Sequence, residues 1–234
     1  MSEVLQAWIA IEGWLGRFMP AGAGALAPGA DPAAIAQAEK DLGLTFPPDV
    51  TESLLRHDGE IAYAGFFPSH SSLLSVAQIV STRQLLVEVA KEGEDLGRDD
   101  SDEWWWHESW LPVTDLDGCL DFVDLRPGPG YGRLGWRPLD GNADFSEGWT
   151  SLGAYLSAIA TALTTGGGVD QVFPYLTADG ELWYSSRSAD VLLLRGRHQR
   201  RPREHGLGRE VAEARDGEQP GGEEDDETSS GHPR

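Results

Sequence analysis

Apolar residues at Val4, Trp8, Ile11, Leu15 and Phe18 recur at intervals of four and three, which places them on one face of an amphipathic helix. A Gly/Ala/Pro stretch follows from Pro20 to Ala30. Asp31-Pro32 then supplies an N-cap and a residue preset for a first turn, and Gly43 suits a left-handed stop, so a second helix bearing Ile35 and Leu42 is predicted between them. Pro47-Pro48-Asp49 opens a third, short helix with Val50, Leu54 and Leu55 as its apolar positions, ending at the Asp58-Gly59 turn. Three helical pieces therefore precede any strong strand. A further helix is expected from Ser75 to Ala90, carrying Val76, Ile79, Val80, Leu86 and Val87, and the acidic run 92–103 reads as an exposed loop.

The pattern then changes period. Segments 110–113, 119–123 and 131–136 are short, rich in aromatic and branched residues, and punctuated by Gly, Pro and Asp, as in an antiparallel meander. Ser151 to Leu163 reads as a helix, and 171–175 with 181–184 as a hairpin turning at Asp179-Gly180. From Arg195 to Arg234 there is no apolar periodicity, only a basic block (195–203) and a later acidic run (223–227). We expect one folded domain over residues 1–194 and a disordered charged tail over 195–234. No period of about 20–50 residues repeats, which argues against a solenoid or propeller.

Composition narrows the function. Asp plus Glu outnumber Lys plus Arg by 39 to 18, for a formal net charge of −21. Such a surface repels phosphate backbones and speeds encounter with basic partners, so nucleic-acid binding is not expected. The single cysteine, Cys119, forms no intrachain disulfide, and no Cys/His cluster has structural-zinc spacing. The N-terminus lacks a basic and then apolar leader, and the longest apolar stretch, 152–163, is shorter than the ~20 residues that cross a bilayer. The expected location is the cytoplasm, without membrane contact.

Three groups of residues, in order, resemble the SUKH superfamily, in particular the Smi/Knr branch that fungal cell-wall assembly regulators share with many bacterial immunity proteins. The first is Trp8, Ile11, Glu12 and Leu15. The second is Ile35, Glu39, Leu42-Gly43, Pro47, Val50, Leu54 and His57-Asp58-Gly59, similar to the family's paired helices closed by a polar-Gly turn. The third is Trp105-Trp106, Trp110-Leu111-Pro112, Gly118, Asp121, Asp124, Gly128, Gly132 and Gly135, similar to its tryptophan-rich strand and Gly-rich turn. The chain departs from the family pattern in the acidic insertion before Trp104, in Arg133-Leu134 and in the appended tail. The resemblance implies a single α+β domain with a central antiparallel sheet flanked by helices, no cofactor, no catalytic set, and binding to other proteins.

Acidic residues Asp99, Asp100, Asp102 and Glu103 stand beside Trp104 and Trp105, and charge next to exposed indole rings suits recognition of a basic protein. These six are the expected partner-binding residues. Adjacent Trp104 and Trp105 cannot both point inward from one strand, whereas Trp106 and Trp110 are expected to anchor the core. Asp115, Asp117 and Asp121 do not match a calcium loop, because the glycine comes too early and no closing Glu follows. Gly130-Tyr131-Gly132-Arg133-Leu134-Gly135 fits a dinucleotide fingerprint formally but runs into a strand, so a turn or bulge is expected. No nucleophile elbow surrounds Ser69, Ser75 or Ser151. His57 is expected to close a helix by bonding its free carbonyls, and Cys119 to be a buried, inert thiol within a strand. The expected function is that of an immunity protein, not an enzyme, which neutralises a cognate toxin, nuclease-like and basic, by occluding its active site. The alternative is a regulatory scaffold of the cell-wall assembly type.

Overall fold

The spacing of the first apolar stripe is realised as helix α1 (Glu3–Phe18), whose inward face carries Val4, Ala7, Trp8, Ile11, Trp14 and Leu15 and whose N-cap Ser2 accepts from Leu5 N. A computed structural model describes residues 1–95, 105–177 and 180–186. A short helix α2 (Pro20–Ala25) follows, so four helices, not three, precede the first strand. Pro20 starts it, and Gly22 packs so close to the Ala64 carbonyl that a Cβ would sit 2.7 Å from that oxygen. Next come α3 (Pro32–Leu42), capped by Asp31 and stopped by Gly43 at φ 64°, and α4 (Pro48–Arg56). In α4, Val50 and Leu54 are buried, but Leu55 is 43% exposed because it follows Leu54 around the helix, toward solvent.

The turn after α4 links three elements. His57 directs Nδ1 at the Ala27 carbonyl (2.7 Å) and Nε2 at Glu12 Oε1 (3.0 Å), so its ring joins α1 to the α2–α3 connection and does not bond the carbonyls of its own helix. Asp58 Oδ1 accepts from Val76 N (2.7 Å), the first residue of helix α5 (Val76–Asp95). Gly59, at φ 76°, lets the backbone lie against Leu74 and Ser75, where a Cβ would stand 2.5 Å from Ser75 N. Helix α5 runs past Ala90, since Lys91, Glu92 and Glu94 are good helix formers and only Gly93 interrupts them.

The sheet is antiparallel. Strand β1 (Ser72–Leu73) pairs with β3 (Thr114–Asp115), and β2 (Trp110–Pro112), β4 (Leu120–Asp124) and β5 (Leu134–Arg137) form a three-stranded ladder in the order β2-β4-β5. β1 and β3 escape a sequence reading because two residues cannot display an alternation. Residues 131–133 form a turn leading into β5, with Gly132 at φ 87°. The formal dinucleotide fingerprint thus ends on a strand, and Gly135 is small because the Phe122 and Phe145 rings would meet its Cβ at 2.5 and 2.7 Å.

Both faces of this sheet are covered, which is why all of β4 is buried. Leu111, Val123 and Leu134 face the main core of α1, α4 and helix α6 (Leu152–Thr165). Trp110, Leu120 and Phe122 face the other way, packing with Trp106 and with Leu86 of α5 as a second cluster. Trp106 and Trp110 meet edge to face at 5.6 Å, the anchoring role expected of them. Helix α6 carries the N-cap Ser151 and a left-handed stop at Gly166, and lies along α1. Strands β6 (Phe173–Leu176) and β7 (Leu182–Ser185) form the expected hairpin, fastened by Tyr184, whose hydroxyl donates to the Phe66 carbonyl (2.7 Å). The architecture is α+β. Among the described residues no helix is long and apolar enough to cross a membrane.

Candidate functional site

One position on β4 breaks the apolar pattern toward the main core: Asp121 sits between Leu120 and Phe122 on the face it shares with Val123, and is only 5% exposed. Its Oδ2 accepts from the Thr114 hydroxyl at 2.6 Å, and Thr114 Oγ1 in turn accepts from Asp121 N at 3.3 Å. This carboxylate forms the inner wall of a cleft of about 320 Å3. Pro68, Ser69 and Ser71, ahead of β1, form one side. Trp136 of β5 and Tyr155 of α6 add aromatic walls, and Glu147 and Asp170 come from the connections before and after α6.

Asp170 is held by a tight turn. Val169 and Val172 exchange both backbone hydrogen bonds at 2.9 Å, and the two residues between them, Asp170 and Gln171, have φ of 48° and 61°, as in a type I′ turn. Trp149 Nε1 donates to Asp170 Oδ1 (2.8 Å) and fixes the carboxylate.

Among the described residues, all the charged side chains lining the cleft are acids. Burial, aided by the charge of Asp170, pushes Asp121 up to about 6, although the Thr114 and Ser71 hydroxyls favour its ionised form. Burial and the charges of Asp170, Asp121 and Asp144 push Glu147 up to about 7. Asp170 is raised by burial, against the opposing Trp149 hydrogen bond. The Tyr155 phenol is driven well above its ordinary range by burial and then by Asp121, Asp170 and Glu147. A group of like charges that resists ionisation gains free energy from an incoming cation. Among the described residues no three His, Cys, Asp or Glu side chains are placed to hold a metal ion.

The expected partner-binding residues are placed differently. Asp99, Asp100, Asp102, Glu103 and Trp104 lie outside the described residues. Trp105 is half-buried against the second cluster, with the Arg137 guanidinium 4.7 Å over its ring. Arg137, also on the sheet face away from the cleft, is itself buried and donates to the carbonyls of Gly118, Pro138 and Leu139. The calcium-like trio is divided: Asp115 Oδ1 accepts from Gly118 N (2.7 Å) to close a turn, Asp117 is in that turn at φ 50°, and Asp121 points into the cleft. Cys119 is half-buried, just outside β4 and on the cleft lining, where a strand-buried thiol was expected; the tight Leu116–Cys119 bridge ends the ladder one residue early. Of the cleft acids, only Asp121 carries a sequence signal, as a carboxylate inside an apolar strand. Glu147 and Asp170 stand in loops that look like any solvated loop.

The helix pair closed by His57-Asp58-Gly59 and the ladder with its buried tryptophans lie within residues 29–158, which match the model of the SMI1 / KNR4 family (SUKH-1), more than half of the chain. The chain belongs to this family. SUKH members include immunity proteins and Smi1/Knr4-type regulators, generally non-catalytic, and membership implies interaction with other proteins. Among the curated proteins none matches the chain. The SUKH span contains Asp121, Glu147 and Tyr155, whereas Asp170 lies beyond it.

Proposed function

We propose that this SUKH protein is an immunity protein: it binds the basic catalytic domain of a cognate toxin in the cytoplasm and neutralises it by covering the active site, without chemistry of its own. The supporting observation is the acidic cleft, where Asp121, Glu147 and Asp170 converge with no lining cation among the described residues to balance them. A protein partner that brings positive charge relieves this repulsion and gains steering from the net charge of −21. A basic groove that ordinarily grips nucleic acid meets both conditions. Asp99, Asp100, Asp102, Glu103 and Trp104 are proposed as a second contact, and Trp105, seated under Arg137, as its attachment to the fold. The tail over 195–234 is proposed to be disordered and dispensable for the fold.

The test is co-expression with any basic, toxin-like catalytic domain found encoded beside the gene. Protection of the host and a complex that survives gel filtration are expected, with association slowed at least tenfold between about 50 mM and 500 mM salt. Absence of both protection and complex overturns the reading. A complex lost on deleting residues 195–234 favours the scaffold role instead.

A further inference from the structure

The immunity reading leaves open what enters the cleft, and Tyr155 narrows it. This side chain lines the cleft at only 3% exposure, its ring packed at 5.3 Å from Trp149 and 6.1 Å from Phe67. Its hydroxyl lies within the field of Asp121, Asp170 and Glu147. The hydroxyl opens onto the cleft, where an entering donor reaches it together with the acids. A group that fits this cleft donates to a phenol oxygen and to carboxylates presented by three different segments, and tolerates the flat walls of Tyr155 and Trp136.

We infer that the cleft is a socket for one arginine side chain of the protein partner, its guanidinium donating to Asp121, Asp170 and the Tyr155 oxygen. A guanidinium has five donors in a planar fork, stacks on aromatic rings and is weakly hydrated; a lysine ammonium presents three donors from one point and holds its water more tightly. A metal ion would need a ligand group that these acids do not form. Asp170, outside the stretch matching SUKH-1, supplies one of the carboxylates, so the socket belongs to this chain and not to the family match alone.

The inference rests on the immunity reading for its protein source, but its test needs no toxin. The full chain, isotopically labelled, is titrated with the blocked tripeptides Gly-Arg-Gly, Gly-citrulline-Gly and Gly-Lys-Gly and with free L-arginine, read by amide and tyrosine-ring chemical shifts. We expect saturable shifts confined to the surroundings of Asp121, Tyr155 and Asp170 with the arginine peptide, at least fivefold weaker binding of the lysine peptide and free arginine, and none of the citrulline peptide. Tyr155→Phe keeps the ring and should weaken the arginine peptide about five- to tenfold, and Asp170→Asn at least tenfold, with melting curves confirming that both variants fold. Shifts spread over the whole surface, equal binding of the citrulline or lysine peptide, tighter binding of free arginine, or an unaffected Tyr155→Phe variant would each overturn the socket. Localised arginine binding without any toxin partner would retain the socket and remove the immunity reading.

Discussion

Asp121 and Asp124 stand three residues apart on one strand, both buried, and experience opposite fields. Asp121 faces other acids, while Asp124, on the opposite sheet face, accepts from Arg126 Nε and Nη2 at 2.8 and 2.7 Å and from Arg133 at 3.2 Å. Burial works against ionisation of Asp124, yet the hydrogen bonds and charge of Arg126, with a hydrogen bond from Arg133, outweigh it and hold the carboxyl below its usual range. The Arg133 guanidinium also lies 3.7 Å over the Phe145 ring, which ties the charged pair to the second aromatic cluster. Asp124→Asn should therefore cost about 2–3 kcal/mol at pH 7 in urea unfolding, because two guanidinium groups lose their anion. A loss below about 0.5 kcal/mol would show that the arginines are satisfied by solvent. Arg133 thus carries a structural job. The sequence shows two acids in an apolar strand but not which way each is pushed: the Asp124 partners are nearby in the chain, whereas the charges facing Asp121 come from Glu147 and Asp170.

Beside their apolar stripes, the helices are joined by the polar turn at 57–60, where His57, Asp58, Gly59 and Glu60 each hold a different neighbour. Glu60, raised by burial, accepts from Ala64 N (2.9 Å) and Leu73 N (3.1 Å) and so aligns β1. Gly59→Ala would place a methyl against Leu74 and Ser75 at a left-handed backbone position. We expect a cost of about 2–4 kcal/mol, with amide exchange accelerated first at β1 and the start of α5, as hydrogen-exchange mass spectrometry would report. Uniform acceleration, or none, would contradict this joint role. Helices α1, α3, α4 and α6 were legible because caps and 3.6-residue periodicity are local. The ladder was legible because aromatic alternation is also local. Helix α2 was hidden, since alternating Ala and Gly carry no apolar stripe, and β1 and β3 were hidden because their pairing depends on contacts some forty residues apart. The cleft was illegible for the same reason: its acids converge only after α6 packs on the sheet.

For the whole molecule these placements set how stability varies with pH. Asp121 and Glu147 bind protons more tightly when folded, at about 6 and about 7, than their ordinary carboxyls do in the unfolded chain. Between about pH 4 and 7 the folded state holds the extra protons, so stability falls as pH rises through this window. Asp124 and Glu12 are shifted down. For Glu12, burial is outweighed by hydrogen bonds from Arg56 and His57, so both groups stabilise above the ordinary carboxyl range and lose that contribution as pH falls below it. The two trends cross near pH 5. For Asp121, the fully buried member, the rise to about 6 corresponds to a loss of roughly 3 kcal/mol once the group is ionised, and self-repulsion from a net charge of −21 acts in the same direction above neutrality. We expect the melting temperature to peak near pH 5 and to be about 5 °C or more lower at pH 8, the loss shrinking in 0.5 M salt. Asp121→Asn should raise the pH 8 value toward the pH 5 value and flatten the profile, since an amide cannot acquire the charge that the cleft resists. A melting temperature that climbs steadily from pH 5 to 8, in the parent chain and unchanged in Asp121→Asn, would mean that the cleft acids are balanced by cations, which would also remove the electrostatic reason for a basic partner to dock there.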